Sequence, residues 1–226
     1  MSDQGALPGG REDDFGLIET LLWTREDGFH LLPEHFARLA ASSAALGFAY
    51  DERLIGAALG EAVATAEAPR LRVRLALSRD GAIETSVTPI EPISPETVWR
   101  VALAERRFSA ADPLLRHKTT RRALYDHELA EANRRNAADD VLFLNERDEI
   151  CESSRCNVFL PQDGVLLTPA LSCGLLPGTL RARLLARGDA RETILRLDDL
   201  ATSEFMLGNS VRGLVRAHLI ASELRA

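Results

Sequence analysis

The sequence predicts an α+β fold of two lobes, in which strands pair mainly as antiparallel hairpins. The clearest hairpin is the strictly alternating run 71–77, which Asp80-Gly81 turns back into residues 83–90. Helical patterns lie between groups of such strands, whereas a doubly wound parallel sheet would alternate one strand with one helix. With 226 residues, 46% of them hydrophobic, the chain is long enough to bury a substantial core.

The N-terminal half begins with a predicted strand, 15–23, whose partner returns over residues 29–32. A helix follows, because Pro33 suits a first helical turn and Gly47 suits the position just past a helix end. The apolar face of this helix is formed by Phe36, Leu39, Ala40, Ser43 and Ala44.

A second helix is predicted to start near Asp51, and a further strand over 98–104 follows the hairpin. The next residues are small, polar and end in proline, which is the composition of a linker. The predicted organisation is therefore a disordered tail over 1–14, an N-terminal lobe over 15–107, a linker over 108–114 and a C-terminal lobe over 115–226.

The C-terminal half starts with one charged amphipathic helix, predicted over 119–135. A short helix is predicted over 179–187, with Gly188 just beyond its end. The remaining predicted elements are strands, at 141–144, 149–152, 157–160, 165–167, 205–209 and 214–220.

Charge and composition exclude several classes of function. The net charge of −7 and the pI near 5.3 argue against a nucleic-acid or anionic-membrane partner, since both require a basic face. No apolar run reaches the length of a membrane span, and the N-terminal residues do not resemble a signal peptide. Three cysteines without CxxC spacing predict neither a disulfide framework nor a metal site. A cytoplasmic protein is the default expectation.

Lys118 is the only lysine in the sequence, although the chain carries many arginines. A composition that keeps a single lysine indicates a role that arginine cannot fill, and Schiff-base formation is such a role because a guanidinium stays protonated. The predicted position of Lys118 at a helix start, among arginines, would lower its pKa through the helix dipole and like charges. The alternative is an ordinary solvated lysine.

Several other residues could bind a phosphate-bearing ring with a positive charge. Glu152 enters a predicted strand and could hold a ring nitrogen protonated. Gly178-Thr179 opens a helix and could bind phosphate through backbone N–H groups, the hydroxyl and the helix dipole. Arg38 and the Gly208-Asn209-Ser210 turn are weaker candidates for the phosphate. Each residue alone is as well explained as ordinary surface or turn, but their joint order is informative.

In that order, the chain resembles the class IV, or fold type IV, pyridoxal-phosphate enzymes, which include branched-chain and D-amino-acid aminotransferases and 4-amino-4-deoxychorismate lyase. The resemblance runs from Phe15 to about Leu219. It implies an N-terminal α/β sandwich lobe and a C-terminal β-barrel-like lobe, with pyridoxal 5'-phosphate as cofactor. The motifs that carry it are LIET at 17–20, LPEHFARL at 32–39, HKTTR at 117–121, Glu152 with NVF at 157–159, LLPGT at 175–179 and LGNSVRG at 207–213.

The resemblance implies a role for each matching residue. Lys118 matches the lysine that forms the Schiff base with the cofactor and then shuttles protons, and Glu152 matches the acid bonded to the pyridine nitrogen. The phosphate-binding positions are Arg38, Gly178, Thr179 and Asn209, where Asn209 departs from the usual threonine of aminotransferases. Tyr125 is a candidate for the tyrosine that bonds the phenolic oxygen, although it lies two positions further from the lysine than in branched-chain aminotransferases.

Within the family, the phrases FGLIET, HKTTRRALYD and NSVRG resemble the lyase, which releases pyruvate and 4-aminobenzoate, a folate precursor. Thr20 matches the threonine proposed to protonate the departing enolpyruvyl group. Arg212, with Arg72 or Arg107 as further candidates, is a candidate for binding substrate carboxylates. The alternative is a class IV aminotransferase acting on a branched-chain amino acid, a D-amino acid or an amine. The resemblance also implies a homodimer and a functional association with aminodeoxychorismate synthase.

Overall fold

The computed structural model describes residues 15–201 and 204–220, and in these residues the strands form two separate sheets. The smaller sheet is wholly antiparallel, with the strand order β2-β1-β3-β4. Its strands are β1 (Leu17–Thr24), β2 (Gly28–Phe29), β3 (Arg70–Leu77) and β4 (Ile83–Pro89). The predicted hairpin of β3 and β4 is confirmed. The predicted tail, 1–14, lies outside the described residues.

Helices α1 (Leu32–Leu46) and α2 (Glu52–Val63) cover one face of this sheet. The C-terminal end of α1 and the N-terminal end of α2 follow from local sequence signals. Gly47 ends α1 in the left-handed conformation, at φ 71°, and its N–H donates to the Ser43 carbonyl. Asp51 precedes α2 and accepts hydrogen bonds from the backbone N–H groups of Arg53 and Leu54. The predictions for these two helices are confirmed.

Alternation along β3 gives the small sheet an apolar face and a face that carries arginines, whereas β1 is buried on both faces, since Ile18 and Leu22 are buried as well. The apolar face packs on the two helices through a buried cluster of side chains: Leu17, Leu21, Leu39, Phe48, Ile55, Leu59, Leu71, Val73, Leu75 and Leu77. The opposite face carries Arg70, Arg72 and Arg74, which alternate with the buried residues of β3. On this face, Thr20 of β1 is paired with Arg74.

The larger sheet has eight strands in the order β10-β9-β8-β11-β12-β5-β6-β7. Its pairing is mixed: β9 and β10, β12 and β5, and β5 and β6 pair in parallel, and the other neighbouring strands pair antiparallel. Its strands are β5 (Val98–Leu103), β6 (Asp140–Leu144), β7 (Ile150–Ser153), β8 (Asn157–Gln162), β9 (Val165–Pro169), β10 (Ala190–Thr193), β11 (Phe205–Asn209) and β12 (Gly213–Leu219). The α+β class is confirmed.

In the described part of the chain, three α-helices accompany the large sheet: α3 (Ala123–Asn136), α4 (Thr179–Arg187) and α5 (Leu197–Ala201). The predicted helix 179–187 is confirmed. The helix predicted over 119–135 begins only at Ala123, because residues 118–120 are extended along β1. In that segment the Ile18 N–H donates to the Lys118 carbonyl, and the Thr120 N–H donates to the Gly16 carbonyl.

The predicted lobe boundary at 108–114 leaves β5 in the N-terminal lobe, yet β5 pairs inside the large sheet, between β12 and β6. By sheet membership, the chain therefore passes from one sheet to the other between Pro89 and Val98. The division into independently folding lobes stays a prediction. Within 15–201 and 204–220, none of the helices has the length and hydropathy needed to cross a membrane.

Candidate active site

Lys118 lies where the two parts of the fold meet. Its backbone extends the edge of β1, with an isolated bridge between Leu17 and Thr119 beside it. The side chain is partly buried, and the charges that act on its amine are those of Arg38, Arg122, Glu19 and Glu152. Among the described residues, the Lys118 Nζ makes no hydrogen bond or ion pair, so the amine is available to a ligand.

The pKa of Lys118 is lowered from 10.5 to about 8, chiefly by burial and then by the positive charges of Arg38 and Arg122. Glu19 and Glu152 oppose this shift. The predicted direction agrees with the structure, and so does the predicted effect of neighbouring arginines, through Arg122, but the predicted effect of a helix dipole was wrong. Because α3 starts five residues downstream, at Ala123, a helix dipole does not act on Lys118 as expected.

This pKa predicts how cofactor association depends on pH. Only the neutral amine attacks an aldehyde. The rate of Schiff-base formation is therefore expected to rise with pH and to reach half of its maximum near pH 8. Below that pH the neutral fraction is about 300-fold larger than for an ordinary lysine. Arg122→Gln removes one of the repelling charges and is expected to move the midpoint to higher pH. Stopped-flow absorbance at a series of pH values measures it.

Arg121→Gln is the matched control, because Arg121 is exposed and is absent from the charges that lower the pKa of Lys118. A midpoint near 10.5 in the unsubstituted protein, or the same midpoint in the Arg121 and Arg122 variants, would contradict this account of the amine.

Glu152 lies at the end of β7 and is 5% exposed. Its Oε1 accepts a hydrogen bond from the Tyr125 hydroxyl at 2.9 Å, and its Oε2 accepts one from the Leu176 N–H at 3.1 Å. Burial raises the pKa of Glu152 to about 7, against the lowering effect of these hydrogen bonds and of Lys118 and Arg122. A cationic group brought against this carboxylate would favour its ionised form.

Tyr125 is therefore adjacent to the acid. Its hydroxyl donates to Glu152, and its ring packs against Phe108 and Phe143. The Arg122 guanidinium lies 4.8 Å from the centre of the Tyr125 ring, and its Nη2 donates to the Ser154 carbonyl. These contacts place the hydroxyl of Tyr125 on the carboxylate of Glu152, whereas the resemblance implied a bond from this tyrosine to the phenolic oxygen of the cofactor.

A single loop, residues 174–178, connects the neighbourhood of Glu152 to that of Arg38. At one end, the Leu176 N–H donates to Glu152, and the Leu176 carbonyl accepts from Asn157 Nδ2 at 3.0 Å. At the other end, the Pro177 carbonyl accepts from Arg38 Nη1 at 3.3 Å. Gly178 is required here because a Cβ atom would lie 1.9 Å from the Asn157 Oδ1.

The loop leads directly into α4, whose first residue is Thr179. No side chain in the described part of the chain caps this helix, so the N–H groups of its first turn are free to bind an anion. Thr179 is 4% exposed, and its hydroxyl lies 3.4 Å from His35 Nε2. Gly178 and Thr179 thus lie beside Arg38.

Arg38 is held by a buried carboxylate that the sequence analysis did not assign. Its Nε donates to Glu19 Oε1 at 2.8 Å, and its Nη2 donates to Glu19 Oε2 at 2.5 Å. His35 Nδ1 lies 2.6 Å from the same Oε2. Burial alone would raise the pKa of Glu19, but Arg38 and His35 lower it to about 2. A signal existed: Glu19 interrupts the apolar face of β1, between Leu17 and Leu21.

Asn209, Thr20 and Arg212 form a second group, at the turn between β11 and β12. The Asn209 Oδ1 accepts hydrogen bonds from the N–H groups of Val211 and Arg212, and its Nδ2 lies 3.1 Å from Cys156 Sγ. The asparagine side chain is therefore engaged within this turn, whereas the resemblance implied that Asn209 contacts the cofactor phosphate. Lys118 acts electrostatically on the same thiol of Cys156, so the second group adjoins the first.

The turn also contacts the polar face of the small sheet. The Ser210 hydroxyl donates to the Thr20 carbonyl at 3.0 Å, and Arg70 Nη2 donates to the Val211 carbonyl at 3.5 Å. Arg72 and Arg74 continue this face outward and are exposed. Arg107, by contrast, pairs with Asp148 at an exposed turn between β6 and β7.

The arrangement fits pyridoxal phosphate by the chemistry of its donors. A buried carboxylate for a ring nitrogen lies at one end, and a guanidinium with a helix N-terminus for a phosphate lies at the other. An amine of lowered pKa interacts electrostatically with both ends. In the described residues, no group of three or more His, Cys, Asp or Glu is arranged to hold a metal ion.

Comparison with known proteins supports this assignment. The family model described as amino-transferase class IV matches residues 16–220. A Schizosaccharomyces pombe protein named "Putative aminodeoxychorismate lyase" is 31% identical over 223 residues, which cover 95% of this chain and 94% of that protein.

Solved structures of similar proteins agree with this family match. A Mesorhizobium loti structure titled "Putative amino-acid aminotransferase" is 46% identical, has a TM-score of 0.86 and is matched over 92% of this chain and 100% of its own. A hypothetical aminotransferase from Mycobacterium tuberculosis, in a form bound to alpha-ketoglutarate and PMP, is 26% identical with a TM-score of 0.78, over 97% of this chain and 88% of its own. The chain belongs to the class IV aminotransferase family of pyridoxal-phosphate enzymes, with the fold type IV architecture and the cofactor that its motifs predict.

Proposed function

We propose that the protein is a 4-amino-4-deoxychorismate lyase that releases pyruvate and 4-aminobenzoate. The observation that carries the proposal is the position of Thr20 on a strand face rich in arginine, directly opposite Arg74 and beside the turn that holds Arg212. Aminodeoxychorismate carries two carboxylates, and guanidinium groups bind carboxylates well. The 31% identical lyase-named relative supports the same choice.

In this proposal, different residues of the chain bind different parts of the cofactor. Lys118 would bind the cofactor covalently, Glu152 would hold its ring nitrogen protonated, and Tyr125 would orient Glu152. Arg38, Gly178 and Thr179 bind the phosphate, while Asn209 shapes the neighbouring turn. When bound, pyridoxal phosphate supplies a protonated ring that withdraws electrons from the substrate carbon bearing the amine.

Two proton transfers remain for the protein. As a free amine, the Lys118 Nζ would remove the proton from the substrate ring carbon that carries the amino group. The Thr20 hydroxyl then donates a proton to the departing enolpyruvyl group, and the substrate ring becomes aromatic. Positioned acid–base groups of this kind contribute about 10²–10⁴-fold to a rate. Arg212 and Arg72 bind the carboxylates of the substrate and fix its orientation.

An aminotransferase is the second candidate, because the 46% identical Mesorhizobium loti structure bears that description. The same lysine and acid serve both reactions. The products differ: a transaminase would transfer the amino group of its substrate to an acceptor, whereas the lyase would cleave the enolpyruvyl ether and release pyruvate.

One assay separates the two reactions. We expect the loaded enzyme to release stoichiometric pyruvate and 4-aminobenzoate from aminodeoxychorismate, and to lose at least about 10-fold in rate with Thr20→Val, which keeps the side-chain shape. No spectral change toward the pyridoxamine form is expected with branched-chain or D-amino acids. Rapid amino transfer from such a donor, without 4-aminobenzoate release, would replace the lyase by the aminotransferase.

The same proposal includes a homodimer, a cytoplasmic location and a functional association with aminodeoxychorismate synthase. The homodimer and the association follow from the family resemblance and the cytoplasmic location from the composition, and all three stay predictions.

A further inference from the structure

We propose that Glu19 and His35 are positioning residues that hold Arg38 and Thr179 together in the orientation that receives the cofactor phosphate. The inference rests on the phosphate-binding roles proposed for Arg38 and Thr179, and it does not depend on whether the reaction is elimination or transamination. It assigns a role to the most deeply buried charged network of the site, in which Glu19 and His35 are 2% and 1% exposed.

The first link is the fork between Glu19 and Arg38. Both carboxylate oxygens accept from the guanidinium, through Nε at 2.8 Å and Nη2 at 2.5 Å, so the guanidinium plane is fixed. A guanidinium has five N–H groups, and the contact to Pro177 uses a third. One N–H on each terminal nitrogen remains for a ligand beside the loop that enters α4.

The second link runs from Glu19 to Thr179 through His35. Because His35 Nδ1 lies 2.6 Å from Glu19 Oε2, the ring is oriented with Nε2 toward the Thr179 hydroxyl, at 3.4 Å. His35 and Arg38 are three residues apart on α1 and therefore share one face of the helix. One carboxylate thus sets both groups that are proposed to bind phosphate.

Two other readings of the network make different predictions. If Glu19 mainly neutralises Arg38, removing its charge strengthens phosphate binding. If the network only connects α1 to α4, any comparable contact between these helices should affect phosphate binding equally. The chain offers such a contact, because Arg183 Nε of α4 donates to Glu34 Oε1 of α1 at 2.5 Å. That pair has the same chemistry but does not contact Arg38 or Thr179 in the described residues.

The test compares the affinity of the cofactor-free protein for pyridoxal phosphate and for pyridoxal, which lacks the phosphate. Affinity is measured by absorbance of the Schiff base with Lys118. We expect Glu19→Gln to lower the preference for the phosphorylated ligand by about 10-fold or more, which corresponds to one lost charge-assisted hydrogen bond. The control Glu34→Gln is expected to change that preference by less than about twofold.

Two substitutions at His35 separate its contacts. His35→Asn places an amide near the Nδ1 position and keeps the contact to Glu19, whereas His35→Gln reaches the Nε2 position and keeps the contact to Thr179. Both are expected to lower the preference for pyridoxal phosphate, and each keeps the proposal testable if Glu19→Gln fails to fold. Competition by inorganic phosphate should weaken in parallel.

An unchanged ratio in the Glu19 and His35 variants overturns the positioning role, and so does a higher ratio, which would favour neutralisation. An equal loss of the preference for pyridoxal phosphate in Glu34→Gln would mean that the network only connects α1 to α4. Arg38→Gln distinguishes these failures from a failure of the cofactor assignment. If Arg38→Gln also leaves the ratio unchanged, the phosphate site itself is misassigned, whereas a lower ratio in Arg38→Gln alone refutes only the role of Glu19 and His35.

Discussion

Lys118→Ala is expected to abolish the long-wavelength absorbance of the Schiff base and to reduce turnover by at least about 10³-fold. The reason is that the substitution removes both the imine-forming amine and the base that moves the substrate proton. No second lysine exists in the sequence to substitute for it. Absorbance after addition of pyridoxal phosphate and a pyruvate-release assay measure the two effects.

Lys118→Arg is the matched variant, because it keeps a long cationic side chain that cannot form an imine. It is expected to lose the Schiff base and the activity as completely as Lys118→Ala. Folding is monitored separately by thermal unfolding, since neither variant should collapse the core. Retention of both colour and turnover in Lys118→Ala would overturn the site assignment.

Glu152→Gln is expected to have opposite effects on turnover and on stability. Turnover should fall by about 100-fold or more, because a neutral amide does not hold the ring nitrogen protonated. The cofactor-free protein, however, should be more stable at pH 8. In the folded state the pKa of Glu152 is raised to about 7 by burial, whereas it is 4.5 in the unfolded chain.

The sign follows from proton binding. Because the folded state binds this proton more tightly, the stabilising contribution is complete below pH 4.5 and is lost as the pH rises through about 7. The full difference is on the order of 3 kcal/mol. Urea unfolding of the cofactor-free protein at several pH values should show this loss, and Glu152→Gln should remove it.

Glu149, just before β7, provides a control because its pKa is shifted in the opposite direction to that of Glu152. It is buried, and Arg147 and Asn145 lower its pKa to about 2, so its contribution is present above pH 4.5 and is lost as the pH falls through about 2. Glu149→Gln should therefore destabilise the protein at pH 8. If both variants change stability in the same direction, the electrostatic account of Glu152 is wrong.

Elements with local signals were predictable from the sequence. Pro33 and Gly47 delimit α1, and the carboxylate of Asp51 caps α2. The turn at Asp80-Gly81 specifies the β3–β4 hairpin, with Gly81 at φ 93°. In each case the determining interaction spans a few residues. The candidate residues Lys118, Glu152, Arg38 and Thr179 were suggested by their residue types and motifs, and their roles in the site stay predictions.

Elements that depend on distant contacts were not predictable in this way. The parallel pairing of β5 with β12 joins residues far apart in the chain, and no local pattern reports it. The late start of α3 depends on β1, which keeps 118–120 extended. The contacts of Glu19 with His35 and Arg38 likewise join β1 to α1, so an acid on an apolar strand face was the only trace in the sequence.

The most direct test of the central claim is to find where the cofactor attaches. Borohydride reduction of the protein loaded with pyridoxal phosphate, followed by proteolysis and mass spectrometry, locates the pyridoxyl group. Because Lys118 is the sole lysine, only this side chain and the terminal amine can carry it. We predict one pyridoxyl group per chain, on the peptide that contains Lys118. An unmodified Lys118 peptide from protein that is yellow and active before reduction would contradict the account.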